Sequence, residues 1–257
     1  MLYVVELTYP GEHLDYPDDQ WTEARERQLG GFESPLAEAA LALTWFEQSA
    51  PARRAAPSTE DRKAELQRWR DLEKKIAAEL GVNARYDQIL LRVEIERKHE
   101  RWQRGVLPKA YEFQVPFMHA KTFLYALDRI DKLLDVLAST PQVPAAVATA
   151  WKRFRDSVPD LQGVRNSVAH YEDRSRGLDR KGKPLDLKPT SLPFAPGFLG
   201  TCLAIEILHG NRLGWTMAEG HGGWFEVSRT TLEAAGTVIQ AAINAFRWKG
   251  SPRHWPG

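Results

Sequence analysis

Apolar residues recur every three to four positions along most of this chain, which is the spacing of one face of an α-helix. The most apolar of these stretches runs from Pro116 to Ser139, and we expect it to form the centre of a helical core. Local signals mark several helix ends, such as Ser58 before one helix and Gly81 after it. The predicted helices cover about residues 21–29, 34–49, 59–80, 83–105, 116–139, 143–157 and 231–248.

The pattern changes to short apolar stretches at the start of the chain and again after residue 200. Residues 1–7 are predicted to form a short strand, and residues 199–227 are predicted to form a small β insertion before the last helix. Residues 173–197 are rich in Gly, Pro, Lys and Arg, and a loop of that length is typically functional or mobile. The tail, residues 250–257, is predicted to be loose. The strands of the insertion are expected at residues 201–207, 213–217 and 224–227.

The composition is that of an ordinary soluble protein. The 257 residues are 43% apolar and 27% charged, with a mean hydropathy of −0.45. No uninterrupted apolar run is long enough to span a membrane, and the first residues lack the features of a secretory signal. Cys202 is the single cysteine, so an internal disulfide is excluded and a reducing compartment is favoured. We therefore predict a cytoplasmic protein without membrane attachment.

Positive charge is concentrated in one segment. The whole chain has a formal net charge of +1, which by itself does not indicate that the protein binds nucleic acid. Residues 151–190 nevertheless contain ten Lys or Arg against six Asp or Glu. The positive charge of this segment is therefore interpreted together with the motif that the segment contains.

That motif is the run Arg165-Asn166-Ser167-Val168-Ala169-His170, predicted to lie on a helix or helical turn. It places a permanent cation, an amide and an imidazole within about two helical turns. Arginine keeps its charge at all working pH values, whereas histidine titrates near neutrality. The run is the strongest candidate in this sequence for a catalytic or binding site.

The run resembles the signature of the HEPN superfamily, the helical nucleotide-binding domains of prokaryotes and higher eukaryotes. In that signature an Arg and a polar residue are followed, after three further residues, by His. The resemblance implies a mainly α fold, namely an antiparallel helical bundle with a small β-hairpin or three-strand insertion before the last helix. The short N-terminal strand of this chain would be an addition to that bundle. We expect the HEPN-like domain at residues 59–249, with residues 1–58 as an elaboration of it, in one globular unit overall.

The resemblance also implies a reaction. Family members that cut RNA are metal-independent endoribonucleases that leave 2′,3′-cyclic phosphate and 5′-OH ends, and toxin or phage-defence roles are known among them. By this resemblance His170 would transfer protons to and from the ribose and leaving oxygens, and Arg165 would stabilise the charge on the phosphate. Asn166 would orient the imidazole ring or the ribose. Neither a metal nor an organic cofactor is implied.

The resemblance further implies a homodimer acting on RNA. Arg165 and His170 are separated by about 140° around a regular helix, so two facing motifs would form one composite groove. An antitoxin or other regulatory partner is a further implied partner. Tyr171 and His119 are weaker candidates for supporting the site. The residues expected to follow an RNA backbone beside the groove are Arg174, Arg176, Arg180, Lys181 and Lys183.

Other interpretations remain open from the sequence. The same fold could serve as a non-catalytic dimerisation module or a nucleotide- or RNA-binding module, and the basic segment could be an ordinary solvated loop. Two Glu-x-x-His pairs, Glu96 with His99 and Glu206 with His209, suggest a two-metal helical bundle. A strand over residues 201–207 would disfavour that alternative, because Glu206 and His209 would not share a face.

Overall fold

The computed structural model describes residues 2–49, 58–192, 195, 197 and 200–257. Within them the fold is mainly helical with small antiparallel sheets, which confirms the predicted class at that level. The helices are α1 (Asp19–Gly30), α2 (Glu33–Ser49), α3 (Thr59–Leu80), α4 (Tyr86–Gln103), α5 (Lys109–Ala138), α6 (Ala145–Ser157), α7 (Leu161–Ala169), α8 (Tyr171–Ser175) and α9 (Arg229–Asn244). The strands are β1 (Leu7–Tyr9), β2 (His13–Leu14), β3 (Ile207–His209), β4 (Arg212–Thr216), β5 (Gly222–Glu226), β6 (Trp248–Lys249) and β7 (Arg253–Trp255).

The chain divides into two compact units, which differs from the single unit expected from the sequence. The larger unit contains Met1–Gln48 and Phe117–Gly257, and the smaller contains Ser49–Pro116. The first residues therefore belong with the C-terminal part of the chain, because apolar side chains such as Leu14, Leu36 and Leu43 are fully buried in the common core. The predicted boundary near residue 58 therefore does not separate the first residues of the chain from that core.

Helix α5 supplies the centre of the larger unit, as its hydrophobicity predicts. Phe123, Leu127, Ile130 and Leu134 are fully buried along its length. The helix begins at Lys109, seven residues before the predicted start at Pro116, and it continues through that proline. Proline has a helical φ value, so a helix can continue through it at the cost of one N–H bond and a clash of its ring with a carbonyl of the preceding turn. Around this core, α6 packs against α9, and α7 packs against β4 and β5.

The three-stranded sheet has the order β3-β4-β5, and all neighbouring strands are antiparallel. The first strand was predicted at residues 201–207 but begins only at Ile207, because Glu206 has a left-handed φ of 51° that interrupts the extended chain. Strand β5 is an edge strand, and two side chains cover its outward N–H groups. Asp160 Oδ2 accepts from the Trp224 amide at 2.9 Å, and Thr190 Oγ1 accepts from the Gly222 amide at 2.8 Å.

The two ends of the chain are joined by short strand pairs, so the prediction of a loose tail was wrong. Strand β1 pairs with β7, and β2 pairs with β6. Helix α9 correspondingly ends at Asn244 instead of 248, and Trp248 Nε1 folds back to donate to the Ile243 carbonyl at 2.9 Å. Arg253 lies 4.1 Å from the centre of the Tyr9 ring and forms an ion pair with Glu33 at 3.0 Å.

We expect removal of residues 251–257 to lower the Tm by about 5 °C. The truncation deletes β7, the Trp255 packing, worth about 1.5 kcal/mol, and the Arg253–Tyr9 contact, worth about 0.5–1 kcal/mol, and in a chain of this size each kcal/mol shifts the Tm by about 2–4 °C. Thermal unfolding followed by circular dichroism measures the change. An unchanged Tm would contradict a stabilising role for the terminal pairing.

The smaller unit contains α3 and α4, which pack side by side. Ser58 caps α3 as predicted, and its partner Asp61 completes a capping box. The buried residues of this pair of helices are Leu72, Ile76, Ile89 and Val93. None of the helices described in either unit has the length and apolarity needed to cross a membrane.

Candidate functional site

The motif lies on α7 and on the break that follows it. Val164 and Ser167 are fully buried, which fixes the inner face of this short helix against the core. Arg165 and Asn166 lie at the half-buried margin of that face. His170 leaves the helical conformation, with φ −114° and ψ 47°, and α8 begins at the next residue. The direction of the imidazole is therefore not set by the regular helical spacing assumed from the sequence.

Arg165 is held against α5 by a buried carboxylate. Its Nε lies 2.9 Å from Asp128 Oδ1, and the two side chains are 19% and 6% exposed. The Nε–H bond does not point at a hydrogen-bond acceptor, so this contact is an ion pair without an aligned hydrogen bond. Asp128 also accepts from Lys132 Nζ at 2.6 Å. The guanidinium is thus oriented by Asp128, which was not among the residues predicted from the sequence. An aspartate at a buried position of the most apolar helix was a signal that could have identified it.

Asn166 supports Arg165 rather than the imidazole. Its side-chain oxygen accepts from Arg165 Nη1 at 2.8 Å. The resemblance predicts that this amide orients His170 or a ribose, whereas its oxygen accepts a hydrogen bond from the neighbouring guanidinium. With Nε at Asp128 and Nη1 at Asn166, Nη2 of Arg165 has no protein partner within the described part of the chain.

His170 is exposed and lies beside two acidic residues. Its side chain is 52% exposed, and Nδ1 lies 3.7 Å from Glu172 Oε1. One ligand atom from each of His170, Glu172 and Asp173 lies within 4.8 Å of the others, and among the described residues this is the one such group found. Asp173 Oδ1 also forms an ion pair with Arg176 Nη2 at 2.8 Å, so this carboxylate already has a cationic partner. Neither Glu-x-x-His pair contributes to this group.

Arg165 and His170 do not meet within one chain. The guanidinium is turned towards α5, whereas the imidazole is turned towards solvent. No hydrogen bond or ion pair joins the two among the residues with described positions. A site that uses both groups on one phosphate needs either a movement of the His170 side chain or a second copy of the motif.

The predicted basic cluster divides into residues with different environments. Arg174 is 1% exposed, so its predicted position beside a surface groove is wrong. The reason is that α8 turns this side chain inward, where its Nη1 donates to the Leu178 carbonyl at 2.5 Å. Arg176 is exposed but engaged with Asp173 and with the Glu172 carbonyl.

The remaining three cations lie on one ordered turn, residues 178–184, which we call the basic turn. Its ends pair at Leu178 and Pro184, and the Asp179 carboxylate accepts from the amides of Lys181 and Lys183 at 2.7 and 2.9 Å. These bonds, with the Lys183 amide first, hold the pKa of Asp179 below its usual value. The side chains that the basic turn presents to solvent are Arg180, Lys181 and Lys183.

Tyr171 and His119, the two weaker candidates, each contact a different tryptophan ring. Tyr171 is about half exposed, and its ring meets the Trp215 ring edge-on with a centroid distance of 6.0 Å. The His119 ring is tilted by 47° against the Trp45 ring with a centroid distance of 5.8 Å, and burial lowers the pKa of His119. Neither residue has a described contact with the side chains of Arg165 or His170. Tyr125 is nearer, since the charges of Arg165 and Asp128 both influence its pKa, which burial raises overall.

Two cavities flank the connection between α6 and α7. One, of about 310 Å³, is bordered by Asp160, Arg212 and Glu226 among others. The other, of about 300 Å³, is bordered by Asp131 and Arg155, whose Nε lies 3.2 Å from Asp131 Oδ1. The motif side chains line neither cavity, so these cavities do not extend the candidate site.

Comparison of this chain with protein-family models, with curated proteins and with solved structures finds no match. Inferences about function therefore rest on the side chains themselves and on the resemblance of the motif.

Proposed function

We propose that this protein is a metal-independent endoribonuclease of the HEPN type. The observation that carries the proposal is the environment of Arg165. Asp128 and Asn166 orient its guanidinium, and Nη2 donates no hydrogen bond within the described part of the chain. An exposed imidazole with a carboxylate near Nδ1 follows five residues later. This is the constellation that phosphodiester cleavage by an attacking 2′-hydroxyl requires, a fixed cation and a group that transfers protons near neutral pH.

In the proposed reaction the ribose 2′-oxygen attacks the adjacent phosphorus as an imidazole accepts its proton. The bond from phosphorus to the 5′-oxygen breaks, and that oxygen takes a proton, which leaves a 2′,3′-cyclic phosphate and a 5′-OH end. Glu172, 3.7 Å from His170 Nδ1, can accept a hydrogen bond from that nitrogen after a small rotation, which directs Nε2 to the substrate. Arg165 donates to the phosphate oxygens on which negative charge increases.

We propose that the active form is a homodimer that works on RNA in the cytoplasm as a toxin or phage-defence effector, controlled by an antitoxin or regulatory partner. Within one chain the imidazole and the guanidinium point in different directions. Two motifs facing each other across a two-fold axis would bring the imidazole of one chain to the guanidinium of the other. The basic turn, with Arg180, Lys181 and Lys183 exposed, provides positive charge for an RNA backbone.

The test is cleavage of mixed cellular RNA by the purified protein in EDTA. We expect fragments whose 5′ ends accept phosphate directly from a polynucleotide kinase and whose 3′ ends resist adapter ligation until the cyclic phosphate is opened and removed. Cleavage that stops in EDTA, or products with 5′-phosphate ends, would contradict the proposed chemistry.

A non-catalytic binding module is the alternative, and one observation favours it. Arg165 is only 19% exposed and already has an acidic partner, as a structural arginine would. RNA binding without cleavage by the wild-type protein, under conditions in which it is folded and dimeric, would support this alternative.

A further inference from the structure

Arg174 is a buried cation without a counter-charge. Its side chain is on α8 and is 1% exposed, and it forms no ion pair with any residue in the described ranges. Its one protein hydrogen bond runs from Nη1 to the Leu178 carbonyl at 2.5 Å. Both Nε and Nη2 are buried without an acceptor. Three of the five donors of this guanidinium, those on Nε and Nη2, therefore have no acceptor among the described residues.

A second buried donor belongs to Trp215 on β4, whose ring meets the ring of Tyr171 at the start of α8. Tyr171 and Arg174 are three residues apart and so share a helical face. That face is directed to β4, because the Tyr171 ring meets Trp215 edge-on at 6.0 Å. Trp215 is itself 1% exposed, and its indole Nε1 has no acceptor. The unsatisfied groups of Arg174 and Trp215 are all N–H donors.

Such a set of groups has a defined chemical preference. A buried charge is stable in a protein when it is paired and hydrogen-bonded, and an unpaired one carries a large desolvation cost. Donors without acceptors, around a guanidinium, are complementary to an oxyanion, and the planar fork of arginine matches two oxygens of a phosphate. No carboxylate in the described part of the chain pairs with Arg174, and of the two nearest in sequence Glu172 lies near His170 and Asp173 is paired with Arg176.

We propose that Arg174 is a binding site for one phosphate group, to which Trp215 Nε1 contributes a further donor. The segment that follows α8 closes over the guanidinium through the Leu178 carbonyl, and the phosphate oxygens replace that carbonyl and occupy Nε and Nη2. Because Leu178 begins the basic turn, binding of the phosphate also changes the position of Arg180, Lys181 and Lys183. This inference does not depend on the proposed nuclease activity.

The experiment compares thermal unfolding of the full chain in inorganic phosphate and in sodium chloride at matched ionic strength. For the wild type we expect phosphate to raise the Tm by about 3 °C, through binding to the folded state only. For Arg174→Met we expect no rise in phosphate and a Tm in chloride equal to or above that of the wild type, because the uncompensated buried charge is gone. Arg174→Lys, which retains a charge, should keep part of the rise.

Arg176→Met is the matched control, since Arg176 lies two residues away, is exposed and already has the partner Asp173. It should keep the full response to phosphate. A separate comparison of a 5′-phosphorylated dinucleotide with its dephosphorylated form distinguishes a nucleotide phosphate from free phosphate as the ligand. An equal rise in the wild type and Arg174→Met, or no rise in the wild type, would overturn the proposal. A large loss of stability of Arg174→Met in chloride would also overturn it, because the guanidinium would then be satisfied without a ligand.

Discussion

Replacement of His170 by alanine is expected to reduce the rate of RNA cleavage by about 10²–10⁴-fold, the range that general acid–base catalysis by one side chain contributes. The side chain is 52% exposed, so the Tm should remain within the error of the wild-type value. Single-turnover cleavage of a labelled RNA under identical conditions measures the effect. Loss of activity without loss of stability would assign the effect to chemistry.

His221→Ala is the control for this experiment, because His221 is an exposed histidine outside the motif. It should cleave at the wild-type rate, which would exclude a general effect of losing a surface imidazole. If the His170→Ala protein cleaves as fast as the wild type, the proposed mechanism is wrong. In that case the motif would be better explained as the end of α7 with a structurally bound arginine.

Replacement of Asp128 by alanine is expected to lower the free energy of unfolding by about 3 kcal/mol, because it leaves a half-buried guanidinium without its acidic partner. Asp128 is 6% exposed and contacts both Arg165 and Lys132. Lys132 is 55% exposed and can return to water, whereas Arg165, at 19%, cannot do so without moving its side chain. Urea denaturation, analysed with a common slope, measures the change.

Two further variants separate charge pairing from packing at Asp128. Asp135→Ala, on the same helix and less buried, should change the free energy of unfolding by less than about 0.5 kcal/mol. The double variant Asp128→Leu with Arg165→Met should recover most of the lost stability, since replacing both members of a buried pair with apolar residues is often neutral. A double variant as unstable as Asp128→Ala would contradict the assigned role of the ion pair.

The sequence alone predicted the local features of this fold. Ser58 before α3 and Gly81 after it mark helix ends that the structure confirms. The apolar spacing of α5 correctly identified the helix at the centre of the core. These predictions succeeded because capping bonds and helical faces connect residues only three or four positions apart, so their cause is contained within a short stretch of sequence.

Features that depend on contacts between distant segments were decided only by the tertiary structure. The tail appeared loose because nothing near it in the sequence shows that β1 is its partner. Arg174 appeared to be one of several surface cations, and only the packing of α8 distinguishes it from Arg180. The motif itself was found from the sequence, but the orientation of Arg165 comes from Asp128 on another helix. The sequence therefore determined which residues are chemically capable, and the tertiary structure decided which of them are paired, buried or exposed, because these properties depend on packing between segments that are far apart along the chain.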